Sequence, residues 1–243
     1  MRAVLSRAFA DAIDDDLVSV DPTIRKAGRR GSEARSRSKF TVWTPAELRT
    51  LLDAAEGKRL EALWRVAVAS GARRGELLGL TWLGFSSAKG TLEIAQQAVP
   101  TRGGVTLTEL KTKGSHRTIR LDAATVAALD LHRERQLAER EQAGEAYEDH
   151  DLIFPDELGR PISPNRLTER FGALRLAAGI RPGRLHDVRH STATHLLTAR
   201  VPVHIVAARL GHSSPVITLN TYAHVLPRSD EEAAEVMAGV LAA

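Results

Sequence analysis

Five residues have the types needed to handle a phosphate: Arg73 in SGARRGELLGL, His186 and Arg189 in LHDVRHSTATHLL, His212 in RLGH, and Tyr222 in LNTYAHV. His186 and Arg189 are three apart, so on a helix they project from one face. A guanidinium fork there would pair two phosphate oxygens while the imidazole donates or accepts a proton. Arg73 follows Gly71 where a turn feeds a helix, and Glu76, three residues on, is spaced to hold it. In LKTKGSHRTIRL, Lys111 and Lys113 fall on one face of a strand that Gly114 and Ser115 turn, which reads as a hairpin tip. His212 follows Gly211, a helix stop. Tyr222, one of only two tyrosines, sits in a short polar segment ten residues further on, not among the apolar neighbours of a core tyrosine.

Singly, each feature has a structural explanation. Arg73 could be a helix-start salt bridge, His186 and Arg189 a surface or satisfied core pair, and the lysines aids to solubility. A metal reading of His186, His190 and His195 rests on the first two lying four apart on one helix face. It lacks a following HExxH carboxylate, and the chain has no cysteine. His190, His195, His204 and His224 read as packing or surface residues.

The elements that must carry these groups are mostly helical. Thr44, Pro45 and Glu47 form an N-cap, N1 proline and capping box, followed by an apolar face at Leu48, Leu51, Leu52 and Ala55. A second helix runs through Leu60, Leu63, Trp64, Ala67 and Val68 to Gly71, and a short helical run resumes in RRGELLGLTW. Between 91 and 121, TLEIAQQ, GVTLTEL and RTIRL are β-prone runs that predict one small antiparallel three-stranded sheet. Helical patterns return from Ala123 to about Arg140, over about 164–178, 187–199 and 202–210, and from about Asp230 to the end. The class is α+β, mainly α-helical with that small antiparallel three-stranded β-sheet. In the tail, Ser229 with Glu232 fits a capping box, and Ala233, Val236, Val240 and Leu241 form an apolar stripe.

The front of the chain differs. Leu5, Phe9, Ile13 and Leu17 recur at helical spacing before Pro22. Residues 25–39 then carry Arg25, Lys26, Arg29, Arg30, Arg35, Arg37 and Lys39 against the single acid Glu33, among glycines and serines that cannot build a core. That composition predicts a flexible basic linker suited to nucleic-acid contact, or a solvated tether. The sequence pI near 9.7 and net charge of +4 lean the same way but are weak alone. At 243 residues with 43% hydrophobic content the chain can bury a real core. The absence of cysteine excludes a disulfide scaffold, and no apolar run is long enough for a membrane span, so a soluble cytoplasmic, nucleoid-associated protein is expected.

In their order along the chain, SGARRGELLGLTW, ELKTKGSHRTIRL, LHDVRHSTATHLL and ARLGHSSPVITLNTYAHV resemble the catalytic domain of the tyrosine recombinase or phage integrase family over roughly 40–243. The resemblance implies the tyrosine-recombinase catalytic-domain fold. It implies a site-specific recombinase that breaks and rejoins DNA through a 3′-phosphotyrosyl link without metal, cofactor or ATP. In that reading Tyr222 attacks, Arg73 and Arg189 stabilise the nonbridging oxygens, and His212 donates to the scissile phosphate. His186 is a proton acceptor or positioning partner, and Lys113 is the general acid with Lys111 as the alternative. The implied partners are a double-stranded DNA recombination site, further copies in a homotetramer joined through the C-terminal helix, and accessory DNA-bending or directionality proteins.

The sequence departs from the family pattern at Arg200 and Arg120, neither at a proposed catalytic position. It departs more at the front, where 1–24 resembles only the last helix of a core-binding domain. A noncatalytic DNA-binding remnant, or a dominant-negative partner of intact recombinases, is therefore the alternative expectation.

Overall fold

The computed structural model describes residues 40–110, 115–223 and 230–241. The expected helix of 1–24, the basic residues Arg25, Lys26, Arg29, Arg30, Arg35, Arg37 and Lys39, and Lys111, Lys113, His224 and Ser229 lie outside the described residues.

Helix α1 (Pro45–Asp53) starts at its capping box. The Thr44 hydroxyl accepts from Glu47 N, and the Glu47 carboxylate accepts from Thr44 N at 2.8 Å. Helix α2 (Glu61–Ser70) buries Leu63, Trp64, Val66 and Ala67 and stops at Gly71, whose φ of +63° is the left-handed conformation of a helix C-cap. A Cβ on Gly71 would meet Leu210 Cδ2 at 2.7 Å, so the stop is also a close approach between α2 and a later helix. The short helix α3 (Arg74–Leu78) follows, with Arg73 as its N-cap.

The expected single sheet is divided in two. Strands β1 (Phe85–Ser86), β2 (Thr91–Ile94) and β5 (Arg117–Arg120) form one antiparallel sheet in the order β1-β2-β5, while β3 (Gln96–Thr101) and β4 (Gly104–Glu109) pair only with each other. TLEIAQQ is thus two strands meeting at Ala95, whose carbonyl accepts from Leu110 N. Burial explains the split. Leu92 and Ile94 face the core beside Ile119, their cross-strand neighbour at Leu92, whereas no residue of β4 is buried and it has only β3 to pair with. The third strand of the core sheet comes instead from Phe85 and Ser86. Strands β4 and β5 belong to different sheets, and among the described residues β3 and β4 form the hairpin; the expected lysine hairpin tip falls on 111–114, outside the described residues.

Helix α4 (Ala123–Ala143) is capped by Asp122, which accepts from Thr125 N, and leads through a 3₁₀ turn (Gly144–Ala146) to α5 (Pro164–Ala177). Then come α6 (Leu185–Thr198), α7 (Val203–Leu210), α8 (Pro215–Tyr222) and α9 (Asp230–Leu241). The core holds Trp43, Leu51, Leu63, Leu77, Leu92, Ile94, Phe154 and Phe171, and a second cluster joins Ala193, Leu197, Val206, Leu210 and Tyr222. Helix α6 serves both, giving Leu185 and Val188 to the first and Ala193 and Leu197 to the second. No helix among the described residues is long and apolar enough to cross a membrane.

Candidate active site

Glu76 is the centre of charge in the site. It is 1% exposed on α3, and its carboxylate accepts from Arg73 Nη1 at 2.9 Å and from Arg117 Nη2 at 2.8 Å. It also accepts from the Arg73 backbone N–H at 3.0 Å, so one side chain fixes both the start of α3 and the Arg73 guanidinium. Burial pushes the carboxyl up. The charge and hydrogen bond of Arg117 outweigh that, with Arg73 and Arg189 adding to them, and the group is held down to about 2. A carboxylate ionised at neutral pH among three guanidiniums holds them together against their mutual repulsion.

Arg189 is buried in α6, 2% exposed, and its Nη1 donates at 2.8 Å to both the Gly71 and the Leu210 carbonyl oxygens. Both sit at helix ends stopped by a left-handed glycine: Gly71 is itself the cap of α2, and Leu210 is the last residue of α7 before Gly211. Carbonyls at a helix C-terminus lack intrahelical donors and carry the negative end of the helix dipole, so they suit an arginine. His212 follows directly, with Nδ1 and the buried Thr218 Oγ1 of α8 at 2.7 Å. Arg117 ties the same corner to the sheet, donating from Nε to the Arg209 carbonyl at 2.7 Å and from Nη1 to the Ser115 carbonyl at 2.9 Å.

Tyr222 is not on an irregular polar segment. It is the last residue of α8, which Ser214 caps by accepting from Val216 N and Pro215 starts, and its ring is 1% exposed in the second apolar cluster. Its hydroxyl lies 2.7 Å from His190 Nδ1. Phe40 stacks on the His190 ring at 4.2 Å and meets Tyr222 edge-on at 6.0 Å, and His186 stands edge-on to His190 at 4.8 Å. His186 also lines a surface cleft with Ala72, Arg73, Arg74, Thr168, Arg184 and Leu185, a basic mouth beside the Glu76 cluster.

The structure therefore gathers Arg73 and Arg189 around Glu76, sets His212 one residue past the helix end that Arg189 grips, and links His186 to Tyr222 through His190. Lys113 and Lys111 lie outside the described residues. Arg117 does not stand out in the sequence, and His190 enters there only in the metal reading or as a packing or surface residue. Arg117 offers no signal beyond β-strand alternation, whereas His190, adjacent to Arg189, was visible but read as a packing residue. His195 does pack, its Nε2 lying 2.8 Å from the Trp43 carbonyl. No group of three or more His, Asp or Glu side chains able to hold a metal occurs among the described residues.

The sequence model of the phage integrase family matches residues 41–228. A tyrosine recombinase XerC-like protein of Caldanaerobacter subterraneus is 30% identical over 247 residues, covering 96% of this chain and 63% of the relative. An integrase of Streptomyces ambofaciens is 30% identical over 251 residues, covering 99% and 63%. The chain thus spans a little under two thirds of the length of these relatives. The Tn1549 transposon integrase in complex with transposon right end DNA matches the fold with a TM-score of 0.70 at 21% identity, over 100% of this chain and 78% of that one. The XerA recombinase matches with a TM-score of 0.61 at 20% identity, over 79% and 68%. With a family model spanning most of its length and tyrosine recombinases among its relatives, the chain belongs to the phage integrase family.

Proposed function

We propose that residues 40–243 are the catalytic domain of a site-specific DNA recombinase that cleaves and rejoins strands through a 3′-phosphotyrosyl intermediate. The observation that carries this is the fixing of Arg73 to the buried Glu76 carboxylate with Arg189 close enough for its charge to act on the same group, a preorganised cationic clamp for a phosphate. Tyr222 attacks phosphorus, Arg73 and Arg189 stabilise the nonbridging oxygens of the transition state, and His212 donates to them. Lys113, or Lys111, protonates the departing 5′-oxygen. The covalent link conserves the bond energy, so the released 5′-hydroxyl of another strand can reverse the step without ATP, and the cationic side chains supply the charge that a metal would.

Solved relatives in complex with transposon and recombination-site DNA support duplex DNA as the partner. The basic segment 25–39, with Arg25, Lys26, Arg29, Arg30, Arg35, Arg37 and Lys39, would follow the backbone between this domain and a core-binding element that includes 1–24. Exposed Met237, Val240 and Leu241 on α9 support packing onto a neighbouring copy in a tetramer on DNA.

The test is covalent trapping on nicked suicide DNA, with and without chelator and an added core-binding fragment. A denaturant-resistant adduct is expected for the unaltered chain in chelator and none for Tyr222→Phe. No adduct under any condition assigns the chain to the noncatalytic DNA-binding reading.

A further inference from the structure

We infer that His190 is a catalytic residue of this site, holding the Tyr222 hydroxyl and taking its proton as the oxygen attacks phosphorus. The inference rests on the reading of Tyr222 as the nucleophile.

The geometry carries it in three steps. First, His190 Nδ1 lies 2.7 Å from Tyr222 Oη, direct contact with the atom that must form the new bond. With Nε2 carrying the ring proton, Nδ1 presents its lone pair to the phenol. Second, the phenol is enclosed. Tyr222 is 1% exposed, so His190, not bulk water, is the acceptor in contact with the phenol. Third, the imidazole is held in place, because Phe40 stacks on it at 4.2 Å with 14° between the planes. His186, which the family resemblance makes a proton acceptor or positioning partner, lines the cleft beside Arg73. Two histidines one helical turn apart thus divide the work, His186 on the side of the phosphate clamp and His190 on the nucleophile. Titratable groups that face His190 include His186 on its own helix and Tyr222 on α8, and the uncharged Phe40 stacks on it from the segment before α1.

The step balances. The Oη–P bond forms as the P–O5′ bond breaks, and the phenol proton passes to His190 Nδ1, leaving an imidazolium. The departing 5′-oxygen takes its proton from the general acid, Lys113 in the reading above. On rejoining, a 5′-hydroxyl attacks and gives its proton to the now-deprotonated general acid, the P–Oη bond breaks, and the imidazolium returns its proton to the phenolate oxygen.

The test uses the 243-residue chain in single-turnover adduct formation on nicked DNA, with His190→Asn, His190→Ala and Tyr222→Phe. Asparagine keeps an acceptor near the Nδ1 position but cannot take a proton. His190→Asn is expected to slow adduct formation by about 100-fold or more with unchanged DNA binding, and to flatten the rise in rate across the imidazole titration range. Added imidazole is expected to restore part of the rate of His190→Ala, which a merely structural role would not allow. A His190→Asn rate within about threefold of the unaltered chain, on the same scale, overturns the proposal, as does faster adduct formation by His190→Ala, which would make His190 a latch. If Tyr222→Phe still forms adduct, the nucleophile assignment itself is wrong, a result separable from failure at His190.

Discussion

Arg117 and Glu76 form a buried ion pair, Nη2 to Oε2 at 2.8 Å, that joins β5 to α3 across the corner where the proposed phosphate clamp is assembled. Both side chains are almost fully enclosed, so removing Arg117 takes from the buried Glu76 carboxylate its strongest compensating charge. Arg117→Gln is expected to lower unfolding free energy by roughly 3–5 kcal/mol, measured by urea denaturation. A loss under about 1 kcal/mol, the scale of an exposed pair, would show that Arg73 and Arg189 suffice for Glu76.

Glu76 also makes stability depend on acid. Folding holds its carboxyl at about 2 against an ordinary 4.5, so its contribution is present above about 4.5 and is lost as pH falls from there towards 2. Denaturation at a series of pH values should show stability falling through that window and a flatter profile for Glu76→Gln. Glu47, held at about 2 by Arg181 on the surface, titrates in the same range but contributes less because solvent screens it. Equal slopes in both proteins would assign the acid sensitivity elsewhere.

Gly211 is irreplaceable on two counts. Its φ is +70°, and a Cβ would sit 2.5 Å from Arg117 Nη1. Gly211→Ala is expected to cost about 2 kcal/mol in a thermal melt and to slow cleavage by displacing Arg117 and His212. Retained activity with a normal melting temperature would mean the helix end relaxes freely.

Arg189→Lys tests the clamp more sharply than alanine. A single ammonium cannot bridge the Gly71 and Leu210 carbonyls and still present a fork to a phosphate. Cleavage should drop by about 100-fold or more for Arg189→Lys and for Arg73→Ala, while gel-shift affinity for DNA stays measurable. Near-normal single-turnover cleavage by either variant refutes its assigned role.

Thr218 lies behind His212, with Oγ1 at 2.7 Å from Nδ1 and no exposed surface. Thr218→Val keeps the volume and removes the hydroxyl that orients the imidazole. The expected result is adduct formation slowed by about tenfold. His212→Ala should be slower still, and the double variant no slower than His212→Ala if Thr218 acts through the histidine.

Much of this site could be read in the amino-acid order, for reasons that vary by residue. The Thr44–Glu47 capping box and the glycine stops at 71 and 211 are local chemistry, and the helix ends fall where those residues stand. The Arg73–Glu76 contact follows from spacing at a helix start. Helix α8 was legible in Ser214 and Pro215, but Val216, Ile217, Thr218 and Thr221, β-branched and poorly amphipathic, obscured it. The division of the sheet and the Arg117–Glu76 and His190–Tyr222 contacts depend on pairings across 41 and 32 residues, which no local pattern encodes.

The separation of β4 from β5 bears on tolerance to insertion. Each strand closes on its own partner, and the ends of the intervening connection are tied independently, Leu110 to Ala95 and Ser115 to Arg117. Insertion or deletion between those ties disturbs no strand pairing and adds little closure entropy. A change of length between those ties is therefore expected to leave the arginine–glutamate corner in place.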